Sequence, residues 1–257
     1  MFVTTSYDPN LSQREEARRL AAELGGRPID RRQMTLAQLR TRFGDEDILL
    51  ISKERIEYHH ELRQPLFFHP STAAVRIKRL IKGEPDSLLN IAGVRPGDVI
   101  VDCTAGLGSD ALVFSYGAGA AGRVTALESA RIPCFLLKQG LKTYHSDVPG
   151  LNESMRRIEV RGEDHLTFLR GLTPESVDIV YFDPMFRKPI TESSSIKAIR
   201  GLADDRALSE EAVRLAVQAA RRTVVLKEHR DSGEFDRLGF SEVHRSSTKI
   251  AYGVIRK

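Results

Sequence analysis

Acidic residues and glycines between residues 99 and 128 are spaced as in a strand–loop–helix–strand unit that binds a nucleotide-like ligand. A first apolar run ends in Asp102, a turn of small residues runs from Thr104 to Gly108, and a second apolar run ends in Glu128. Glycines remove side chains where a ligand must lie against the backbone, and the start of a helix offers unpaired N–H groups. An acid that ends the second strand is placed to hold a ribose diol. We therefore expect a nucleotide-like ligand on this loop.

A second group of candidate residues follows the apolar run 177–182, where Asp183, Pro184, Met185 and Phe186 come in succession. In an α/β sheet, ligands bind beyond the carboxyl ends of the strands. The Asp183 carboxylate and the Pro184 carbonyl could accept the two N–H groups of an exocyclic amine, and proline fixes the backbone there. Phe186 could stack on a base ring. We predict Asp183, Pro184 and Phe186 as catalytic residues that act mainly by alignment; the alternative is an ordinary Asp-Pro turn.

The glycine loop alone leaves the class of ligand open. Gly106, Gly108 and Ala111 match the dinucleotide pattern G-x-G-x-x-A. However, the first of these glycines comes four residues after Asp102, whereas a dinucleotide turn starts directly at the end of the strand. Asp102 and Asp110 also suit a cationic ligand better than a diphosphate. The loop therefore favours a methyl donor with a sulfonium and an amino-acid group over a nicotinamide dinucleotide, and a loop without a ligand is the third interpretation.

From residue 99 onward, apolar runs alternate with helical patterns, which predicts a parallel sheet covered by helices on both faces. The predicted strands are 99–102, 123–128, 157–161, 177–183 and 223–227, and the predicted helices are 109–117, 130–142, 164–170 and 207–221. The tail predicts two more strands, 240–246 and 249–256, joined as an antiparallel hairpin. Five parallel strands completed by a hairpin are typical of class I S-adenosylmethionine-dependent methyltransferases. The predicted fold class is therefore α/β, with a Rossmann-like sheet of this kind.

The segment before the sheet predicts a small N-terminal α/β domain over residues 1–68. A strand is expected at residues 2–6 and a buried strand at 48–51. Two capping-box patterns, Ser12 with Glu15 and Thr35 with Gln38, each predict the start of a helix. Residues 69–98 are expected to be a helix and a connector, and residues 99–257 the catalytic domain.

The helix expected after Pro70 carries several basic residues, and Ser71 or Thr72 could cap it. Arg76 and Arg79 lie three residues apart and fall on one face. This basic face is interpreted in two ways: as an ordinary solvated surface, or as a patch that contacts nucleic-acid phosphates.

Composition limits the class of protein without identifying it. The chain has 257 residues, 41% of them hydrophobic and 29% charged, as in an ordinary globular protein. Its net charge of +4 is compatible with nucleic acid as a partner. No apolar run suggests a membrane span or a signal peptide, and Cys103 and Cys134 suit a reducing compartment. We expect a cytoplasmic protein. The histidines show no metal-ligand spacing, so no metal is expected.

Five segments resemble the RsmJ-type family of small-subunit ribosomal RNA guanine-N2 methyltransferases. The matching segments are V-D-C-T-A-G-L-G-S-D-A at 101–111, L-E at 127–128, L-T-F-L at 166–169, Y-F-D-P-M-F at 181–186 and V-V-L-K at 224–227. The first 98 residues match this family poorly. The family's D-P-M-F-P-x-K is D-P-M-F-R-K-P here, so Arg187 stands where the family has proline.

The resemblance implies S-adenosylmethionine as the cofactor and RNA as the partner, either ribosomal RNA or the assembled subunit. Glu128 would hold the ribose hydroxyls, Asp102 and Gly106 the amino-acid end, and Asp164 the adenine amine, while Asp183 would lie between donor and acceptor. The expected donor-binding set is Asp102, Thr104, Gly106, Gly108, Ser109, Asp110, Glu128, Ser129, Asp164, His165 and Asp183. The expected acceptor-binding set is Met185, Phe186, Arg187, Lys188 and Lys227.

Several points about the acceptor side stay open from the sequence. Lys227 could hold an acceptor phosphate or base edge, or be a plain surface lysine. Arg187, Lys188, Arg200 and Arg230 could form a basic rim, and the segment 191–195 could be a loop that closes over the substrate or only a linker. Two other functions also fit: methyl transfer to another RNA, a protein or a small-molecule amine, and RNA binding without catalysis.

Overall fold

The computed structural model describes residues 1–60, 64–184, 206–245 and 249–257, which form two compact units. The described residues up to Phe68 belong to the first unit, and those from His69 onward belong to the second. The segment 69–98, expected to be a helix and a connector, thus lies in the second unit.

The first unit is built on a four-stranded sheet. Its described elements are β1 (Phe2–Thr5), α1 (Leu11–Glu23), β2 (Arg27–Pro28), α2 (Leu36–Phe43), β3 (Asp47–Ile51) and β4 (Ile56–His60). The strand order is β2-β1-β3-β4, with β1 parallel to both neighbours and β4 antiparallel to β3. Phe2, Leu39 and Ile48 form a fully buried core cluster. The predicted capping box of Thr35 and Gln38 at the start of α2 is confirmed.

The predicted capping box at the start of α1 is wrong by two residues. The cap is Asn10, whose side chain accepts a hydrogen bond from the backbone N–H of Gln13 at 2.9 Å. The Gln13 side chain accepts in return from the Asn10 N–H at 3.0 Å. Ser12 and Glu15 have the same spacing, but they lie inside the helix. Asn10 caps the first N–H groups of α1 two residues before Ser12, so the helix starts before Ser12.

The second unit is built on a seven-stranded sheet. Its described elements are α3 (Ser71–Ile81), α4 (Ser87–Ala92), β5 (Val99–Asp102), α5 (Ser109–Ala118), β6 (Arg123–Leu127), α6 (Arg131–Thr143), α7 (Leu151–Arg157), β7 (Ile158–Arg161), α8 (His165–Arg170), β8 (Val177–Phe182), α9 (Glu210–Ala219), β9 (Ala220–His229), α10 (Glu234–Arg237), β10 (Glu242–Arg245) and β11 (Ile250–Arg256). The strand order is β10-β11-β9-β8-β5-β6-β7, in which β5 to β9 are parallel and β10 and β11 form an antiparallel hairpin against β9. The predicted fold class is confirmed.

The order of the parallel strands reverses at β5. The chain moves outward from β5 through β6 to β7, then returns to place β8 and β9 on the other side of β5. A crevice opens beyond the carboxyl ends of the strands at such a switch point, and ligands bind there. The loop after β5 and the segment after β8 both start at this edge of the sheet, because β5 and β8 are parallel neighbours.

Several parts of the second unit differ from the sequence prediction, which had no helix at α4, α7 or α10. The segment predicted as a connector contains α4, whose first turn is capped by Asp86 through the backbone N–H of Leu89 at 3.1 Å. Six residues are too few for apolar periodicity to indicate a helix. Neither Ser71 nor Thr72 caps α3, because the N-cap residue is Pro70 and no side chain bonds to the first N–H groups.

Candidate active site

A cleft of about 590 Å³, open to solvent, lies at the carboxyl ends of the central strands of the second unit. Several residues expected from the sequence line this cleft together: Thr104, Gly106, Glu128, Ser129, His165, Asp183 and Pro184. The loop after β5, the end of β6, the start of α8 and the end of β8 therefore converge on one cleft.

Glu128 ties the end of β6 to the glycine loop. Its Oε2 accepts a hydrogen bond from the Gly106 N–H at 3.0 Å, and its Oε1 accepts from the Ala130 N–H at 2.7 Å. The side chain is buried yet lines the cleft. Bonds from backbone N–H groups fix a carboxyl group in one orientation. Glu128 thus presents a fixed carboxyl group to the cleft and also sets the shape of the loop.

Gly108 is required by packing at the start of α5. Its φ is +81°, and a Cβ at this position would lie 2.6 Å from Cδ1 of Leu137 on α6. Any other residue would meet both the cost of a left-handed backbone and a steric overlap. In the described part of the chain, Gly108 does not belong to the lining of the cleft. This glycine therefore allows the start of α5 to lie close to α6, and its expected contact with a ligand stays a prediction.

Asp102 is almost fully buried at the end of β5, with 1% of its surface exposed. Its Oδ1 accepts a hydrogen bond from the Thr104 N–H at 3.1 Å. Burial, with the charge of Asp110 nearby, raises its pKa well above the ordinary range of an aspartate. Asp102 therefore braces the loop from behind the lining residues, and its expected contact with the amino-acid end of a donor stays a prediction.

Asp110, in the first turn of α5, is the centre of a buried ion network. It pairs with the Arg76 guanidinium from α3, accepts a hydrogen bond from the Tyr181 hydroxyl at 2.7 Å and pairs with Lys227 Nζ at 2.9 Å. Burial opposes its ionisation, but Lys227 and Arg76 outweigh that effect and hold the pKa of Asp110 below its ordinary value. Asp110 is thus an ionised, fully engaged carboxylate behind the cleft.

Arg76 fits neither interpretation of the basic helix. Its Nε and Nη2 each donate to the Asp86 carboxylate at 2.7 Å, and its side chain is only 18% exposed. This residue is therefore a structural cation rather than a solvated or phosphate-contacting one. Arg79 is exposed and pairs with Glu84 at 2.7 Å. No sequence pattern distinguished these two arginines, which lie on the same helix face.

Asp183 follows β8 and lines the cleft beside Pro184. Its backbone N–H donates to Thr104 Oγ1 at 2.6 Å, and its Oδ2 pairs with Lys227 Nζ at 2.7 Å. Burial raises the pKa of Asp183 to about 6, since the charge of Asp110 adds to the desolvation that Lys227 opposes. Asp183 thus joins the loop after β5 to the end of β8 and titrates close to neutral pH.

Asp164 serves as the N-cap of α8. Its Oδ1 accepts from the N–H groups of Leu166 and Thr167 at 2.9 and 3.3 Å, and its Oδ2 pairs with Arg206 at 2.7 Å. These bonds outweigh partial burial and lower the pKa of Asp164. The next residue, His165, lines the cleft and lies edge-on to the Phe182 ring at 6.0 Å between centroids. The expected bond from Asp164 to an adenine amine stays a prediction.

The remaining expected residues are distributed unevenly. Ser109 begins α5 and, among the residues that the structure describes, is not part of the cleft lining. Met185, Phe186, Arg187, Lys188, Arg200 and the segment 191–195 lie outside the described residues. Among the described residues, no three histidine, cysteine, aspartate or glutamate side chains are grouped so that they could hold a metal ion.

The sequence prediction missed several residues of this region. Cys103, Glu163, Arg206 and Leu208 line the cleft, and Tyr181 anchors Asp110 from behind it. Arg206 and Leu208 precede α9 and carry no motif. Tyr181 was visible only as part of the apolar strand before Asp183. Its hydroxyl can reach Asp110 because β8 lies beside β5, and α5, which carries Asp110, follows β5 in the chain.

Comparison with known proteins decides the family. The family model described as "Putative SAM-dependent methyltransferase" matches residues 33–240, most of the chain. The chain belongs to the S-adenosylmethionine-dependent methyltransferase family. The family and fold imply S-adenosylmethionine as the cofactor, and the protein is an enzyme of one-carbon transfer. No helix within the described ranges is long and apolar enough to cross a membrane.

Relatives of this methyltransferase fall into two groups. The chain is 38% identical over 255 residues, 99% of each chain, to "Uncharacterized protein YpiP" of Bacillus subtilis. It is 30% identical over 158 residues, 58% of each chain, to "Ribosomal RNA small subunit methyltransferase J" of Cellvibrio japonicus. The protein of that name from Aeromonas salmonicida is 29% identical over 176 residues, 65% of this chain and 66% of its own. The predicted resemblance is confirmed as a distant relationship over part of the chain.

One solved structure matches over the whole chain. The SAM-dependent methyltransferase NGO1261 of Neisseria gonorrhoeae superposes with a TM-score of 0.62 at 18% identity, covering 100% of this chain and 96% of that one. At this identity the match shows a shared fold.

The residues of the cleft fit the chemistry of the cofactor. S-adenosylmethionine carries an ammonium and a sulfonium, and it supplies a methyl group that is already activated for transfer. Asp183 places a carboxyl side chain in the lining of the cleft, and a carboxylate attracts a cationic ligand. Glu128 adds a fixed carboxylate at the end of β6, where a ribose diol is held in related folds.

Proposed function

We propose that this methyltransferase modifies an exocyclic amine of RNA, namely the N2 amine of a guanine in small-subunit ribosomal RNA. The observation that carries the proposal is the position of Asp183 and Pro184 in the same cleft as Glu128 and Gly106. Relatives named for methylation of small-subunit ribosomal RNA support this choice of acceptor.

The proposed roles follow from the chemistry of each side chain. Glu128 holds the ribose hydroxyls, Asp102 and Gly106 the amino-acid end, and Asp164 the adenine amine. The acceptor amine donates its N–H groups to the Asp183 carboxylate and the Pro184 carbonyl, which aims the nitrogen lone pair at the methyl group. Met185, Phe186, Arg187 and Lys188, which follow Asp183 and Pro184 in the chain, contact the acceptor base and its phosphates.

Asp183 has a second task in this proposal. The amine nitrogen must lose one proton as it gains a methyl group. A carboxylate with a pKa of about 6 is ionised for the most part at neutral pH, yet basic enough to take that proton. Alignment of the amine supplies most of the acceleration, because the methyl group is activated before it arrives.

We also propose that the chain divides into a small N-terminal α/β domain (1–68), a helix and connector (69–98) and a catalytic domain (99–257). Recognition of the acceptor RNA is assigned to the first 98 residues and to the segment around Arg187. These are the two regions in which the sequence departs from the RsmJ-type pattern.

Two measurements test the proposal. Titration calorimetry with S-adenosylhomocysteine should show binding, and NADH should show none. Purified protein with labelled S-adenosylmethionine should label RNA from cells that lack this gene, and Asp183→Ala should abolish the labelling. Label found only in protein or metabolite extracts would move the activity to another amine. RNA binding without any turnover would leave a binding protein that has lost catalysis.

A further inference from the structure

Lys227 bridges two carboxylates at the edge of the candidate active site. Its Nζ lies 2.7 Å from Asp183 Oδ2 and 2.9 Å from Asp110 Oδ2. Phe182 and Leu226 are register partners in the parallel pair β8 and β9, so the next residues, Asp183 and Lys227, emerge side by side. The lysine side chain is 17% exposed. An ammonium shared by two carboxylates at these distances has a restricted position.

Asp110 is itself held in place, so the bridge has a fixed end. The Tyr181 hydroxyl donates to the oxygen that Lys227 also contacts, and Arg76 pairs with the other oxygen. Arg76 is fixed in turn by its two hydrogen bonds to Asp86. A continuous chain of ion pairs therefore runs from Asp86 through Arg76, Asp110 and Lys227 to Asp183. These ion pairs connect Asp86, the N-cap of α4, with Asp183 at the end of β8.

The role inferred here for Lys227 rests on the proposed function, in which Asp183 aligns the acceptor amine. We propose that Lys227 is a positioning residue, which holds one carboxylate oxygen of Asp183 against the Asp110 anchor and thereby directs the other oxygen toward the acceptor amine. This differs from the sequence-based expectation, in which Lys227 contacts an acceptor phosphate or base edge. To bind a phosphate, the ammonium would have to leave two largely buried carboxylates, and unpaired buried charges are costly.

The charged groups around Asp183 predict two pKa shifts of opposite sign, one for loss of Lys227 and one for loss of Asp110. Lys227 faces it from β9, Asp110 from α5, Asp102 from β5, Tyr181 from β8 and Tyr252 from β11, with Arg76 on α3 acting through Asp110. Lys227 lowers the pKa of Asp183, and Asp110 raises it. Removing the ammonium should therefore move the titration of Asp183 upward. Removing the charge of Asp110 should lower the pKa of Asp183, since Lys227 then pairs with Asp183 alone.

The test is a titration of aspartate side chains by carbon-detected NMR on the full chain, with Asp183→Asn used to identify the Asp183 signal. Lys227→Met should raise its midpoint by about one pH unit or more, and Asp110→Asn should lower it. Lys257→Met is the matched control, because it removes an ammonium paired with Glu175 at 3.0 Å and should leave the midpoint unchanged. Unchanged midpoints in both test variants, or shifts of the same sign, would overturn the proposal. Asp110→Asn alone tests it if Lys227→Met does not fold.

Kinetics separate the positioning role from the proposed function. In Lys227→Met we expect kcat for RNA methylation to fall by roughly 10²-fold, as for loss of an aligned proton acceptor, with little change in affinity for S-adenosylhomocysteine. Lys227→Arg should recover part of this loss, because it restores the cation. Full kcat in Lys227→Met would overturn the proposal. Opposite NMR shifts in a protein that methylates no RNA would refute the proposed function, while the link between Lys227 and Asp183 would stand.

Discussion

The carboxylate of Glu128 accepts a hydrogen bond from the backbone N–H of Gly106 at 3.0 Å. The acid that ends β6 and the glycine of the loop after β5 therefore form one unit, although 22 residues separate them in sequence. The same carboxylate lines the cleft and takes a second bond from Ala130. The shape of the loop and part of the cleft lining thus depend on a single side chain.

Glu128→Gln should weaken binding of S-adenosylhomocysteine by about 10–100-fold, the equivalent of one or two lost bonds to a charged group. The amide keeps the shape of the side chain, but it removes the charge and replaces one accepting oxygen with a donor. Titration calorimetry measures the effect. Glu159→Gln is the control, since Glu159 on β7 is exposed and pairs with Arg161. Equal affinities in wild type and Glu128→Gln would contradict the role given to Glu128.

Gly108→Ala should destabilise the second unit by more than its backbone conformation alone explains. A left-handed φ costs an alanine about 1 kcal/mol, and the contact with Leu137 should add about 1–3 kcal/mol by overpacking. Gly93→Ala isolates the first cost, because Gly93 has φ +68° and no atom closer than 4.0 Å to a built Cβ. Urea unfolding followed by circular dichroism measures the difference. Leu137→Val should recover part of the loss in Gly108→Ala but not in Gly93→Ala.

Arg76→Met should be strongly destabilising, by about 3–5 kcal/mol, because it leaves Asp86 and Asp110 as buried charges without their shared partner. Arg79→Met on the same helix removes an exposed pair with Glu84 and should cost less than about 1 kcal/mol. Thermal and urea unfolding of both variants provide the comparison. Similar losses in the two variants would show that the buried network adds little to stability.

Glu57 should make the stability of the first unit depend on pH. Bonds from His59 and Arg55 lower the pKa of Glu57 from 4.5 to about 2, so between these values the unfolded chain binds more protons than the folded one. The stabilisation is therefore complete above pH 4.5 and is lost as the pH falls toward 2. Glu57→Gln should cost about 1–2 kcal/mol at neutral pH, after allowance for solvent screening.

Urea unfolding of wild type and Glu57→Gln at several pH values follows this dependence. The difference between the two proteins should shrink steadily as the pH is lowered. Glu54→Gln, a change of the same kind in the turn between β3 and β4, should show no such trend. A constant difference at every pH would contradict the pairing of Glu57.

Local and periodic patterns in the sequence predicted most of the fold. Alternating apolar runs and helical patterns predicted the parallel strands and the hairpin, and the Thr35–Gln38 spacing predicted the start of α2 correctly. Where two caps competed two residues apart, as at Asn10 and Ser12, spacing alone could not choose between them. The short helix α4 offered too few residues for a periodic pattern.

Arg206 and Leu208 of the cleft were missed because they precede α9 and carry no motif. The cleft residues at strand ends were predictable, because sequence can locate those ends. The ion network behind them was not, because its members are far apart in the chain. Arg76 and Asp110 are 34 residues apart, and Asp110 and Lys227 are 117 apart. The packing of α3 against α5 and the strand order, with β8 between β5 and β9, bring them together. The sequence therefore indicated Lys227 as important without indicating its partners.

We propose that this enzyme methylates a guanine amine of small-subunit ribosomal RNA. The most direct measurement is mass-spectrometric mapping of modified nucleosides in that RNA from cells with the gene, without it, and with an Asp183→Ala copy. We predict that one N2-methylguanosine is lost without the gene, returns with the wild-type copy and stays absent with Asp183→Ala. Identical modification maps in all three strains would contradict the claim.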